Sequence, residues 1–288
     1  RLTWIIGRLE HKLLGHLPDV EFIVFDKKAG RSAYADLHAR MRGRRFDALL
    51  HMQLALRASI AAALVPARWK VGFDRDRARE GQWLFTNAKI EAREREHVLD
   101  GLFGFTRRLG IESRSLRWDI PLPDAALDYA RRAIPDGTPR ALVVSPCSSH
   151  ALRNWRAERY AALADRAVRR HGLQVLLCGG RSPLELQYGQ EIERHMREPC
   201  RNLIGQDTLV EFLATLQRAT VLVSPDSGPA HLATTVGTPV VGLYAATNPQ
   251  RSGPYCSRQW CVDRYEVAAS RFMNRSASRL PWTEKIEQ

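Results

Sequence analysis

Short runs of aliphatic and β-branched residues alternate along the whole chain with longer stretches in which apolar positions recur every three or four residues. Buried strands separated by amphipathic helices produce that alternation, so the pattern predicts an α/β protein built on parallel sheets. In the first half, Leu2–Ile6, Glu21–Phe25, Asp47–His51 and Lys70–Phe73 are expected to be strands. Helices are expected at Ser32–Arg42, Leu54–Leu64 and Glu96–Leu109; the last has Val98, Leu99, Leu102, Phe103, Phe105 and Thr106 on one face and Gly110 as its stop.

The stretch from Pro121 to Pro139 holds Pro121, Pro123, Pro135, Gly137 and Pro139 around a short helical segment, Ala125–Ala133, and has the turn chemistry of an interdomain linker. Beyond it the alternation restarts. Strands are expected at Ala141–Ser145, Gln174–Cys178, Asn202–Ile204, Thr220–Ser224 and Pro239–Tyr244, with helices at Ala157–Arg170, Pro183–Arg197, Thr208–Gln217 and Pro229–Val236. Five strands with intervening helices suffice for a doubly wound sheet. The expected division is therefore a first domain over residues 1–138, a second over 139–262, and a C-terminal tail over 263–288 that packs back on the first.

The 288 residues, 44% hydrophobic and 26% charged, lie within the ordinary globular range and outside collagen-like, disordered or disulfide-scaffold composition. Charge changes the picture more. The formal net charge is +13, divided as +7 over residues 1–139 and +6 over 140–288, so no basic arm is concentrated at either end. A surface of this kind attracts phosphorylated metabolites, nucleic acid or acidic lipid. Cys147, Cys178, Cys200, Cys256 and Cys261 form no C-x-x-C pair and are odd in number, which disfavours a zinc site or disulfide framework and fits a cytoplasmic protein. No run of 18 apolar residues occurs, so any membrane contact is expected to be peripheral.

Ligands of open α/β sheets bind beyond the carboxyl ends of the strands, which directs attention to the strand-to-helix loops. Two stand out. Ser145-Pro-Cys-Ser148-Ser149-His-Ala-Leu-Arg153-Asn-Trp155 offers hydroxyls and a cation ahead of a helix, a setting for a phosphate oxygen; the same residues also suit a plain polar loop capped by Ser and Asn. Ser224-Pro-Asp226-Ser227-Gly228-Pro229-Ala-His231 leads into the next helix. There Gly228 permits close backbone approach, Pro229 fits a first helical turn, and Asp226 or Ser227 suits the N-cap. Capping leaves His231 without a reason, and a histidine there could face an anion. Thr247 and Asn248, after the strand at Pro239–Tyr244, border the same region.

Other short patterns carry less. Gly179-Gly180-Arg181-Ser182-Pro183 lacks the spacing of a dinucleotide or P-loop fingerprint, and H-E-x-x-H and G-x-S-x-G are absent. Asp74-Arg75-Asp76 has the D-x-D form of a cation-holding site, but Arg75, Arg77 and Arg79 compete for the carboxylates, so a solvated, salt-bridged loop is expected.

Together these residues resemble glycosyltransferase family 9, the ADP-heptose:lipopolysaccharide heptosyltransferases. The resemblance rests most firmly on Ser224-Pro-Asp-Ser-Gly-Pro-Ala-His231, similar to a D-[ST]-G-x-x-H loop, and on Gly237-Thr-Pro-Val-Val-Gly-Leu-Tyr244 with Thr247-Asn-Pro249 and Gly253-Pro254. The loop with Ser148, Ser149, Arg153 and Trp155 is similar to a K-x-W phosphate loop with Arg in place of Lys. Asn202-Leu-Ile-Gly205 and, in the first half, Trp4-Ile-Ile-Gly7 and Phe46–His51 fit more loosely.

The resemblance implies a GT-B architecture, two Rossmann-like doubly wound domains facing across a cleft, and transfer of heptose from ADP-heptose to the lipopolysaccharide inner core with inversion. It implies that Ser148, Ser149, Arg153, Ser227, Gly228 and His231 hold the donor diphosphate, that Asp226 sits by the sugar, and that Thr247 borders the donor site. It implies neither cofactor nor metal, an anionic lipid A- or Kdo-type acceptor, peripheral contact with the cytoplasmic face of the inner membrane, and no nucleic-acid partner. The family's first strand and its G-D loop, which carries the catalytic aspartate, have no counterpart from Leu2 onward, so the expected base lies before Arg1 and the first domain is expected to lack its first βα unit. Asp26, Asp47 and His51 are conceivable substitutes. The alternatives are a GT-B transferase using another nucleotide sugar and a non-catalytic sugar-nucleotide-binding protein.

Overall fold

A computed structural model describes residues 1–138 and 140–286. The chain divides into two compact units, Arg1–Leu116 and Arg117–Gln288.

The first unit contains β1 (Leu2–Gly7), α1 (Arg8–Leu14), β2 (Val20–Phe25), α2 (Arg31–Met41), β3 (Phe46–Leu50), α3 (Leu56–Ala63), β4 (Ala67–Gly72), β5 (Ala88–Lys89) and α4 (Val98–Arg108). Its strands run parallel but in two ladders, β1–β2 and β3–β4–β5, where the sequence suggested one sheet. Side chains join them instead of backbone bonds: Ile5 and Ile23 from the first ladder and Phe46 and Leu49 from the second share one core with Leu37, Met41, Ala61 and Val65. Arg44 clamps the first ladder from outside, donating through Nη1 (2.9 Å) and Nη2 (2.5 Å) to the Glu21 carboxylate. These hydrogen bonds hold the Glu21 pKa down at about 2.

The second unit contains α5 (Asp124–Ala133), β6 (Ala141–Val144), α6 (Ala157–His171), β7 (Gln174–Leu177), α7 (Pro183–His195), β8 (Arg201–Asn202), α8 (Leu209–Arg218), β9 (Val221–Pro225), α9 (Gly228–Thr235), β10 (Val240–Tyr244), α10 (Pro249–Ser252), β11 (Val262–Asp263) and α11 (Tyr265–Met273). Its parallel sheet has the order β11-β10-β9-β6-β7-β8, one strand more than the sequence suggested. Counted from β6, that is the 3-2-1-4-5-6 winding of a dinucleotide-type fold, whose direction reverses between β6 and β9. Ala141–Val144 are buried throughout, as a strand covered on both faces requires. One face packs Val143, Leu176 and Leu222 against Phe212, Leu216 and Ala230; the other packs Leu142, Val144 and Val175 against Tyr160, Ala161 and Ala164.

Two expected boundaries move. The break falls at Leu116/Arg117 and not at 138/139, because α5 packs Ala126 and Ala130 on Ala214 of α8 and so belongs to the second unit. Residues 263–286, expected to return to the first domain, continue the second. Arg264 N–H donates to Tyr244 O (2.7 Å), Ile286 N–H donates to Ala246 O (2.9 Å), and Tyr265, Ala269, Leu280 and Ile286 form their own small core.

Candidate functional site

The loops after β6, β9 and β10, three adjacent strands at the point where the winding reverses, meet through side chains. The first begins where Ser145 N–H donates to Val223 O (3.0 Å), extending the β6–β9 ladder past the end of β6. It then closes on itself: Ser148 N–H donates to Asn154 Oδ1 (2.7 Å), Ser148 Oγ donates to His150 O (2.9 Å), and His150 N–H donates back to Ser148 Oγ (3.1 Å). The Tyr188 hydroxyl donates to Trp155 O, and the Trp155 ring meets Tyr160 edge-on at 5.3 Å between centroids. This bracing carries Arg153 to the second loop.

There Arg153 Nη1 lies 3.1 Å from Asp226 Oδ2 and donates to Asp226 O at 3.3 Å. Thr247 Oγ1, from the third loop, donates to the same Oδ2 at 2.8 Å. Asp226 is buried and is a junction of three loops more than an open carboxylate. Only one corner of the guanidinium is engaged: among the described residues, Arg153 Nε and Nη2 have no protein acceptor. A half-buried cation with one edge tied to a carboxylate and its other donors unspent is suited to an anion.

Ser227 occupies the N-cap of α9 with extended φ/ψ, yet its side chain caps nothing; its Oγ is 2.8 Å from Ser224 Oγ. The hydroxyl pair lies beside Gly228, where a β-carbon would meet no atom within 4 Å. The glycine therefore keeps open space at the N-terminus of α9, where the helix dipole favours negative charge. Ser149 is exposed and its hydroxyl has no partner among the described residues. Water reaches His231 one turn into α9, although crowding around the ring costs hydration and lowers its pKa, against an opposing pull from the Asp226 charge.

Residues proposed as substitute bases separate on position. Asp26, just past the end of β2, accepts from Lys28 N–H (3.0 Å) and pairs with Arg8 (3.2 Å). Asp47 is exposed near the amino end of β3, the wrong end for a strand-end crevice. His51 follows β3, buried, with Nε2 3.0 Å from Ser59 Oγ, and burial lowers its pKa. The D-x-D pattern is a salt-bridged turn, but buried more than solvated at its first residue: the Asp74 carboxylate accepts from the N–H groups of Asp76 and Arg77 and from Arg77 Nε. The Gly179–Gly180 turn caps α7, with Gly180 N–H and Ser182 Oγ both donating to Glu185. All five cysteines are free thiols; burial pushes Cys147 up to about 12.

Residues 34–280 match the profile of glycosyltransferase family 9 (heptosyltransferase). The chain belongs to that family. Over 286 residues it is 37% identical to the lipopolysaccharide core heptosyltransferase OpsX of Haemophilus influenzae, covering 99% of this chain and 82% of that protein. Lipopolysaccharide heptosyltransferase 3 of Escherichia coli is 23% identical over 211 residues, 72% of this chain and 62% of the relative. Among solved structures, a family 9 glycosyl transferase from Veillonella parvula superposes with a TM-score of 0.76 at 21% identity, over 98% of this chain and 82% of that one. The E. coli heptosyltransferase WaaC, solved with ADP, gives 0.69 at 20% identity over 87% and 80%. The fold of this heptosyltransferase is thus the α/β fold of the family's GT-B structures.

In the heptosyltransferase's switch-point loops, Asn154 pins Ser148, the capping by Asn that the sequence allowed, while Ser224, to which sequence reasoning gave no role, holds Ser227 across three residues of its own loop.

Proposed function

We propose that this heptosyltransferase moves heptose from ADP-heptose to the inner core of lipopolysaccharide, with inversion and without a metal. The observation that carries the reading is the Arg153–Asp226–Thr247 junction beside the open N-terminus of α9, at the reversal point of the second unit's sheet. A diphosphate fits its chemistry: unspent guanidinium donors, the Ser148, Ser149 and Ser227 hydroxyls, the backbone at Gly228 and the imidazole of His231. The names of relatives agree, since OpsX is a lipopolysaccharide core heptosyltransferase and WaaC has been solved with ADP and with ADP-2-deoxy-2-fluoro heptose.

In this reading the acceptor hydroxyl attacks the anomeric carbon as the bond from that carbon to the diphosphate oxygen breaks. The bonding electrons leave with ADP, and the hydroxyl proton passes to a general base. Fixed donors at the diphosphate meet the growing negative charge without reorganising, which is where such a site lowers the barrier. Asp226 acts by holding Arg153 and Thr247. The acceptor is an anionic, Kdo- or phosphate-bearing lipid met at the cytoplasmic face of the inner membrane, and the net +7 of residues 1–139 favours that approach. No described helix is long and apolar enough to cross a membrane.

Mass-spectrometric product analysis tests the reading, using a Kdo-terminated lipid A acceptor with ADP-heptose, ADP-glucose and UDP-glucose. A heptose adduct from ADP-heptose alone is expected. An adduct only from another donor would move the protein to a different nucleotide sugar, and calorimetric ADP-heptose binding without turnover would make it a binding protein.

A further inference from the structure

The loop after β10 brings Thr247 to Asp226, although Ala245 is exposed and Ala246 only half-buried. Its backbone is tied from outside the loop. Ile286 N–H donates to Ala246 O (2.9 Å), and Lys285 stands directly opposite Thr247 in an antiparallel bridge.

The segment that supplies this tie is rooted beside the same loop. Arg264 N–H donates to Tyr244 O (2.7 Å) at the end of β10, so residues 264–286 start from Tyr244 and come back to the chain two residues further on, at Ala246. Between the two bonds lies α11, where Tyr265, Ala268 and Ala269 pack with Leu280 and Ile286. The Tyr265 hydroxyl donates to Glu284 O (3.2 Å), holding the returning segment just ahead of the bridge. Ile286 is 2% exposed and belongs to that small core, so the seat of its side chain fixes the place of its N–H.

A threonine is stiff at χ1, and where its backbone lies decides where its hydroxyl points. Thr247 Oγ1 donates at 2.8 Å to Asp226 Oδ2, the oxygen that also faces Arg153 Nη1. Contacts therefore run without a break from the core on α11 to the junction. We propose that Ile286 is a positioning residue of the donor site, acting through its bond to Ala246 and the Lys285–Thr247 bridge to keep the Thr247 hydroxyl on Asp226. Resting on the donor reading above, this gives the C-terminal segment a part in donor binding without requiring it to touch the donor.

Calorimetry with ADP on the full chain tests the role. Ile286→Ala is expected to bind ADP about fivefold more weakly, and Ile286→Val, which keeps the branched side chain, to stay within about twofold of the wild type. In the Thr247→Val background, Ile286→Ala is expected to weaken binding no further, because the hydroxyl it positions is gone. Additive losses would mean that Ile286 serves the fold and not Thr247, and would overturn the proposal. Coupling between two sites is reciprocal, so saturating ADP is expected to raise hydrogen-exchange protection of the Ile286 amide about fivefold in the wild type, a readout that depends on no variant. Unchanged protection overturns the proposal, as does wild-type ADP affinity in Ile286→Ala. In both of those outcomes the wild type still binds ADP and the donor reading stands; a wild type that binds no ADP would overturn that reading and this role together.

Discussion

Arg153 and Asp226 form an ion pair at 3.1 Å with only 15% and 12% of their side chains exposed, joining loops that leave β6 and β9 on either side of the sheet's reversal point. A pair so far from water is costly to break from one side, because the remaining charge loses its partner and recovers little hydration. Arg153→Ala and Asp226→Ala are each expected to lower unfolding free energy by about 3 kcal/mol, and the double variant by clearly less than their sum. Denaturant unfolding of the four proteins measures that coupling. Heptosyl transfer separates the roles further: Arg153→Ala is expected to reduce kcat about 100-fold, the size of losing one donor to a developing anion.

Gly228 gives the cleanest separation of folding from binding. Its φ is not in the left-handed region and a β-carbon meets no protein atom within 4 Å, so alanine is accommodated by the protein itself. Alanine also favours the helical position. Gly228→Ala is therefore expected to melt at or above the wild-type temperature while binding ADP at least about tenfold more weakly, since the methyl group occupies space meant for phosphate oxygens. Calorimetry with ADP beside a thermal melt checks both halves; undiminished affinity would remove the diphosphate from this position.

Thr247 acts on the anion through Asp226, to which it donates at 2.8 Å. Thr247→Val keeps the shape and removes the hydroxyl, and is expected to raise the donor KM several-fold with a stability loss of about 1 kcal/mol. Thr247→Ser restores the donor and should return KM toward the wild-type value. Steady-state kinetics of the two variants tell positioning from simple packing, because a packing defect would be worse in the smaller serine.

The second sheet was legible in the sequence because its strands are covered on both faces and read as unbroken apolar runs, as at Ala141–Val144. The two-residue β11, Val262–Asp263, is an exposed edge and offers no such run. The short α1, Arg8–Leu14, buries only Leu13 and so has no periodic face to detect. The loops of the junction were found from residue type and place after a strand. What could not be read was who holds whom: Arg153 and Asp226 are 73 positions apart, and their pairing exists only because β6 and β9 are neighbours in the sheet. The two ladders of the first unit were hidden for the same reason, since pairing between strands is a tertiary fact.

Asp207 makes stability depend on pH in the direction opposite to most carboxylates. It follows β8, with Oδ2 buried and without a hydrogen-bond partner among the described residues, and burial raises its pKa to about 7, opposed by a hydrogen bond from its own backbone and by Arg181 and helped by Glu211. An unfolded aspartic acid titrates near ~3.9. Between these values the folded chain binds more protons than the unfolded one, so this residue's contribution falls as pH rises from about 4 to 7 and stays low above. Urea unfolding at pH 5, 6 and 8 is expected to show that decline, amounting to roughly 1–3 kcal/mol once partial solvent access is allowed for. Asp207→Asn removes the ionisation and should flatten this part of the profile, leaving the variant more stable than the wild type at pH 8 and close to it at pH 5. Identical pH profiles for the two proteins would show that Asp207 ionises in the folded chain as easily as in the unfolded one.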